Sequence, residues 1–230
     1  MNDATEGHTF KRYDGELNHL QYMVLEMGGL VLNQVREALA AFKSRDLALA
    51  HKVATRDSEV DRLEVEADTE IVKLIAQRGP VGSDLRLVMA VSKSISELER
   101  LGDEAVKIAS LVAQMFGNES SDPNYQLLRD INIMGGMALN SLKNALEVFD
   151  LWDEEKALTV IKHHRDMEEE FESSLRRLMT YIMEDSRNIG FAINVVLVIK
   201  ALERIGHHAQ NLAEYVVFQV KGEDIRHQSS

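Results

Sequence analysis

The chain has no cysteine, two prolines and a single tryptophan, and aromatic residues fill only 6% of its 230 positions. Without cysteine there can be no disulfide and no thiolate metal site, so any metal must be held by carboxylate, imidazole or water. The two prolines, Pro80 and Pro123, leave long segments free to be helical. No apolar run approaches the roughly 20 residues that a membrane helix requires. The longest lies around Phe191 to Ile199 and is broken by Asn194. Positive charge is in deficit, with 26 Lys and Arg against 38 Asp and Glu and a formal net charge of −12. Phosphate backbones need a basic surface, so nucleic acid is excluded as a direct partner, and cations or basic protein surfaces are favoured. The N-terminus, Met1-Asn2-Asp3-Ala4-Thr5-Glu6, is acidic and polar, the opposite of a secretory signal, and predicts a cytoplasmic protein. No nucleophile triad, glycine-rich phosphate loop or nucleotide motif is evident.

What is present is a pattern stated twice. Met27-Gly28-Gly29-Leu30-Val31-Leu32-Asn33 recurs as Met134-Gly135-Gly136-Met137-Ala138-Leu139-Asn140, and Leu98-Glu99-Arg100-Leu101-Gly102 recurs as Leu202-Glu203-Arg204-Ile205-Gly206. Between these anchors Ala38-Leu39, Phe42 and Asp46 correspond to Ala145-Leu146, Phe149 and Asp153. Such a repeat means two copies of one supersecondary unit. With 45% hydrophobic residues the chain can bury a substantial core.

Apolar periodicity predicts an all-α protein of six long helices in two tandem antiparallel three-helix bundles. The first helix is expected from about Tyr13 to Ser44. Asp46 is placed to cap a second that runs to about Gln77, and Ser83 or Asp84 to cap a third that ends at Gly117-Asn118. Asp122-Pro123 reads as the start of the second unit. Its helices are expected over about Asp122 to Leu151, Asp153 to Met183 and Asn188 to Val220, with Gly222 as the stop. The repeats thus occupy 1–118 and 122–222, followed by a flexible tail over 223–230. The last helix is apolar nearly all round from Phe191 to Ile199, which predicts burial against the other repeat. Ten methionines, among them Met23, Met27, Met134, Met137, Met179 and Met183, read as core filler. Trp152 reads as an anchor for the turn after the fourth helix.

The acids gain meaning from the hairpins. Asp57 and Asp61 form one i, i+4 pair and Glu99 and Asp103 another, so each pair projects from one helix face. Pro80 is equidistant in sequence from Asp57 and Asp103, and again from Asp61 and Glu99. An antiparallel hairpin therefore brings all four level, roughly 28 to 35 Å from the turn. In the second repeat the same construction selects Asp166, Glu170, Glu203 and His207, centred on Asp185-Ser186-Arg187-Asn188. Acidic pairs also arise on solvated faces, and Arg56, Arg100, Arg165 and Arg204 could neutralise these without metal. Four level carboxylates otherwise repel unless a cation intervenes. Carboxylates with one imidazole suit Mg, Mn, Fe or Zn, and spacing does not choose among them. Of the adjacent histidines His163-His164 and His207-His208, at most one of each can reach a given ion, and His207 is the better placed.

The phrases Pro80-Val81-Gly82-Ser83-Asp84-Leu85-Arg86, Leu98-Glu99-Arg100-Leu101-Gly102-Asp103-Glu104-Ala105 and Leu202-Glu203-Arg204-Ile205-Gly206 resemble the PhoU family of phosphate-signalling regulators. The resemblance covers nearly the whole chain and implies two three-helix bundles whose Glu(Asp)-x-x-x-Asp motifs bind multinuclear iron or zinc, with magnesium or manganese as alternatives. The family pattern falls on Asp57, Asp61, Glu99 and Asp103, and on Asp166, Glu170 and Glu203, while His207 stands where the family usually has Asp. Asn211 matches a family asparagine one turn further on; Lys107, at that place in the first repeat, would weaken its site. The implied function is regulatory rather than catalytic: a cytoplasmic protein that restrains the phosphate-starvation response. It would link an ABC phosphate transporter to a phosphate-sensing membrane histidine kinase and self-associate as a homodimer. A metal-free helical scaffold is the alternative. A di-iron carboxylate oxidase is disfavoured, because of its Glu-x-x-His motifs only Glu16-Leu17-Asn18-His19 is present.

Overall fold

A computed structural model describes residues 3–117, 125–184 and 189–225. Its helices are α1 (Asp3–Ser44), α2 (Leu47–Arg78), α3 (Gly82–Phe116), α4 (Tyr125–Leu151), α5 (Glu154–Glu184) and α6 (Ile189–Lys221). The expected start at Asp122-Pro123 and the turn 185–188 lie outside the described residues. Helix α1 begins well before the expected Tyr13.

The two copies turn corners alike. Arg45 (φ 56°) and Trp152 (φ 51°) each take the left-handed conformation between helices. Asp46 then accepts a hydrogen bond from the Leu49 amide (2.9 Å), and Asp153 accepts one from the Lys156 amide (3.1 Å). These are N-cap bonds, each satisfying an amide that has no partner within its helix. Trp152 packs against Phe149, the rings inclined at 45° with centroids 4.6 Å apart, anchoring the turn as its position suggested. Between α2 and α3 the cap differs from expectation. Gly79 (φ 57°) closes α2 and Gly82 (φ 59°) opens α3, both in a conformation that costs glycine little. Val81 therefore holds the N-cap position with extended backbone and no side-chain bond. Ser83 and Asp84 already lie inside the first turn, where Asp84 accepts a hydrogen bond from the Tyr13 hydroxyl (3.1 Å). Gly222 ends α6, its amide bonded to the Phe218 carbonyl.

Helices α1, α2 and α3 pack on one another, as do α4, α5 and α6. The two bundles join through α3 against α6 and α1 against α4. The Met-Gly-Gly repeat lies on the second seam. A Cβ on Gly28 would collide with Leu146, and one on Gly135 would stand 2.8 Å from a methyl of Leu39. The repeated glycines and leucines are thus two halves of one reciprocal contact.

Along α6, Val195, Val198, Ile199, Leu202 and Ile205 are buried where the helix packs on α3, α4 and α5. The all-round apolar stretch is only partly covered, since Ile193 and Leu197 face solvent. Buried Glu97 crosses the α3–α6 seam: it lies 2.6 Å from His208 Nδ1 and accepts from Asn211 Nδ2 (3.0 Å) and the Tyr215 hydroxyl (3.2 Å). Buried Glu104 receives Arg204 across the same seam at 3.1 Å. Met23, Met27 and Met134 fill the core, but Met179 and Met183 are exposed, at 59% and 87%. They follow a different face of α5 from its buried residues Ser174 and Leu178.

Candidate metal centres

On the first hairpin the predicted acids come together. Burial raises the Asp57 carboxyl above its ordinary pKa, and the charges of Asp61 and Asp103 raise it further, against a Gln34 hydrogen bond that lowers it. Burial likewise raises Glu99, with Asp103, Glu64 and Asp61 adding to the effect and Arg100 opposing it. Glu64 was not among the expected residues. It too is raised, by burial first, then by Asp68, Asp61 and Asp103, with Arg100 opposing. Its signal in the sequence is its i, i+3 relation to Asp61, which places both on one face of α2.

Two of the basic residues that could have neutralised this cluster are engaged elsewhere, Arg56 with Glu37 at 3.2 Å and Arg204 with Glu104, while Arg100 pairs with Glu97 at 3.3 Å and still acts on Glu99 and Glu64. Lys107, expected to compete for the site, turns to Glu104 at 3.3 Å. Gly102 leaves space where a Cβ would stand 3.2 Å from Asp57 Oδ1 and 3.4 Å from Gln34 Oε1, and that Gln34 oxygen is buried without a hydrogen-bond partner. Carboxylate and amide oxygens gathered where α2 and α3 approach this closely have the donor chemistry for a hard or intermediate cation. Among the described residues no three His, Asp or Glu side chains already converge as a coordination shell, so a cation would have to draw them inward.

The second hairpin departs from the expected set. Ala50, Val53, Val60, Ala67 and Ile71, buried on α2, repeat as Ala157, Val160, Met167, Ser174 and Leu178, buried on α5. In that register Asp57 falls on His164, and Asp61 falls on Glu168. Asp166 is two residues from His164 and so is rotated about 200° around the helix. The matched distances from the turn set height along the hairpin but not azimuth. Asp166 lines a cavity of about 440 Å³ between α4 and α5, beside Asn140, Ser141 and Asn144, a cavity whose wall His164 joins as well. Glu170 is drawn toward α4 by Arg177, which bonds both it and buried Asp130. Neither acid meets the α6 pair. Glu203 and His207 do occupy the places of Glu99 and Asp103, and the His207 ring lies 5.7 Å from that of His164. Asn211 turns away to Glu97.

His164, passed over in favour of its neighbours, is the residue of this hairpin with the least satisfied chemistry. It is 6% exposed, and both ring nitrogens are buried without hydrogen-bond partners. Burial lowers its pKa, and His207 adds to this, while Glu168 and Glu203 oppose it. The imidazole is therefore held toward its neutral form, which has a lone pair to offer. Its neighbour His163 instead bonds the Thr159 carbonyl at 2.8 Å. The Glu16 of the lone Glu-x-x-His motif forms a two-bond pair with Arg78 (2.7 and 2.8 Å).

A family model described as the PhoU domain matches residues 24–112 and again 131–216, one match in each bundle. A phosphate-specific transport system accessory protein PhoU homolog from Pseudomonas aeruginosa is 37% identical over 98% of this chain and 92% of its own length. The phosphate-specific transport system accessory protein PhoU of Escherichia coli K12 is 36% identical over 96% and 90%. Among solved structures, PhoU from Pseudomonas aeruginosa superposes with a TM-score of 0.86 at 37% identity, covering 92% of this chain and all of that one. The phosphate transport system regulatory protein PhoU from Streptococcus pneumoniae follows at 0.84 and 27% identity, covering 92% and 98%. With a model match in both bundles and relatives aligned along nearly its full length, the chain belongs to the PhoU family.

Proposed function

We propose that this protein is a metal-binding accessory factor of phosphate-specific transport. It acts in the cytoplasm as a negative regulator, between an ABC phosphate transporter and a phosphate-sensing histidine kinase, and it self-associates as a homodimer. The observation that carries the reading is the carboxylate cluster of Asp57, Asp61, Glu64, Glu99 and Asp103, in which three members are held above their ordinary pKa. The relatives are phosphate-specific transport system accessory proteins, which supports the transport context. Among the described residues no helix is long and apolar enough to cross a membrane, so attachment to a transporter would run through docking.

Asp57, Asp61, Glu99 and Asp103, with Glu64, would hold the ion, iron or zinc before magnesium or manganese. The bound cation would supply charge neutralisation, tying the faces of α2 and α3 together. The acidic surface left around it suits basic cytoplasmic segments of a partner. Replacing Asp57, Asp61 and Asp103 with Asn and Glu99 with Gln tests this in two measurements. Elemental analysis of purified protein should show metal lost, and a phosphate-starvation reporter should be derepressed at high phosphate. Full repression by the quadruple variant would sink the regulatory role of the cluster. Native protein free of metal, with a melting curve indifferent to chelator, would favour the metal-free scaffold.

A further inference from the structure

The groove between the first two helices of each bundle is built from the same repeat positions but filled differently. Between α1 and α2 it is lined by Leu30, Asn33, Gln34, Arg56 and Val60 and leaves a space of about 210 Å³. Glu37 bridges the two helices beside it, pairing with Arg56 at 3.2 Å and Lys52 at 3.0 Å. In the register of the repeat, Gln34 becomes Ser141, Glu37 becomes Asn144, Lys52 becomes Thr159 and Arg56 becomes His163. The long side chain and the ion pairs are replaced by shorter groups, and the space between α4 and α5 reaches about 440 Å³. Among the described residues, Thr159 and His163 bond only carbonyls of their own helix, and Ser141 and Asn144 make no hydrogen bond. We propose that this α4–α5 groove is a binding site for an uncharged nucleoside. The site is independent of the metal-binding reading.

The lining argues for a flat ring with a hydrogen-bonding edge. Val148, Val160 and Met167 are buried and give the groove an apolar floor, and a cavity of this size falls in the range of small-molecule sites. Valine and a methionine thioether pack well against a planar heterocycle. Asn140 and Asn144, one helical turn apart on α4, share a face. Each side-chain amide presents a donor and an acceptor together, the pattern that complements the edge of a nucleobase. His163 has one ring nitrogen engaged with the Thr159 carbonyl and the other open to a partner.

Charge decides between nucleoside and nucleotide. Lys156, the lysine of the lining, is already shared between Glu147 at 3.4 Å and Asp153 at 3.8 Å. No cation is left over for a phosphate, and Glu147 and Asp166 add negative charge in a chain whose net charge is −12, so an anionic ligand is repelled. Asp166 stands toward the other end of the groove, roughly 15 Å along α5 from Lys156, and has no ion-pair partner among the described residues. A carboxylate so placed accepts hydrogen bonds from the neighbouring hydroxyls of a ribose, the role an acidic residue has in dinucleotide sites. The base then lies over the apolar floor and the sugar against Asp166.

The test uses the full chain in excess chelator, so that no metal event contributes, with calorimetry and ligand-observed NMR as readouts. Adenosine, guanosine, cytidine and uridine are titrated singly, with ATP, free adenine and inorganic phosphate as contrasts. At least one nucleoside should saturate the protein with a Kd of about 1 mM or tighter. ATP should bind at least about tenfold more weakly than adenosine, through charge repulsion. Asn144→Glu with His163→Arg installs the pair that bridges the first groove and should abolish binding, while the variant melts like the native chain because both positions are exposed. Asp166→Ala should weaken the nucleoside at least about tenfold and leave free adenine unchanged, the scale of a lost hydrogen bond to a charged group. If no nucleoside binds the native chain, or if the bridged variant binds as the native chain does, the site is refuted. Tighter binding of ATP or phosphate than of adenosine would overturn the uncharged class, and an unchanged Asp166→Ala titration would overturn the ribose contact. None of these outcomes bears on the metal reading, which elemental analysis tests separately.

Discussion

Leu146 of α4 lies so close over Gly28 of α1 that the glycine has no room for a Cβ, whereas its neighbour Gly29 has nothing within 4 Å of that position. The two adjacent glycines therefore make opposite predictions. Gly29→Ala relieves the conformational cost of glycine in a helix and should stabilise by about 0.5–1 kcal/mol. Gly28→Ala gains the same helix propensity but must displace Leu146, and overpacking of this kind costs about 1–3 kcal/mol, so it should destabilise. Thermal melts of the two single variants check the pair. Gly28→Ala combined with Leu146→Ala should recover part of the loss beyond additivity. Equal effects at the two glycines would mean that the helices do not meet there.

The second prediction concerns Glu97. Burial alone would raise its pKa, but the bonds from His208 and Asn211 and the charges of His208 and Arg100 outweigh it, leaving the carboxyl below its ordinary value. A depressed carboxyl stabilises the fold at pH above the unfolded-state value, and the contribution is lost as pH falls through the folded-state value. Glu97→Ala leaves the donors of His208, Asn211 and Tyr215 facing an empty site. Breaking a buried ionic network costs about 3–5 kcal/mol, or a fall in Tm on the order of 10 °C for a chain of this size. Glu97→Gln, which keeps one acceptor oxygen, should lose less. Both variants should also melt with a shallower dependence on pH in the acid range than the native chain. A Glu97→Ala melt like the native one would refute the seam.

The helices, their order and the repeat could be read in the sequence because they rest on short-range periodicity and caps. The Asp46 cap and the gathering of Asp57, Asp61, Glu99 and Asp103 on the first hairpin are of that kind. Azimuth was not legible to the same degree. Sequence distance from a turn tolerates an error of two residues with a height change of about 3 Å, but the same error rotates a side chain to the opposite face. That is how Asp166 displaced His164. Glu97 was overlooked because a glutamate in an acidic chain reads as solvated. Its buried role depends on His208, Asn211 and Tyr215 arriving from α6, far along the chain. One local sign existed: Ser94, Glu97, Leu101 and Glu104 follow the spacing of one buried helical stripe.

Arg177 ties α5 to α4 in the second bundle. Its guanidinium bonds both oxygens of Asp130, which is 2% exposed, and also reaches Glu170. Arg177→Met should destabilise by about 3–5 kcal/mol because it strands a buried carboxylate, and Asp130→Asn added to it should restore part of that loss. Urea midpoints of the single and double variants measure both. Arg177→Lys should fall between, since an ammonium keeps the charge but not the fork that engages two oxygens at once.

The last prediction follows from the raised carboxyls of the first hairpin. In metal-free protein Asp57, Glu64 and Glu99 bind protons more tightly folded than unfolded. Stability therefore falls as pH rises from the ordinary carboxylate range through the raised folded values, and the penalty is complete above them. Asp57→Asn removes one of the repelling charges. In chelator at neutral pH the variant should be the more stable by about 0.2–0.5 kcal/mol, the scale of like-charge pairs on a helix. The difference should shrink as pH is lowered and the native carboxyl takes up its proton. Adding the bound ion reverses the order. An ion at a hundred times its dissociation constant stabilises the native site by about 2.7 kcal/mol, and the variant, having lost a ligand, gains less. Melting both proteins with and without metal should thus give curves that cross. If Asp57→Asn is less stable in chelator as well as in metal, the carboxylates are held by some compensation other than a cation, and the site is structural.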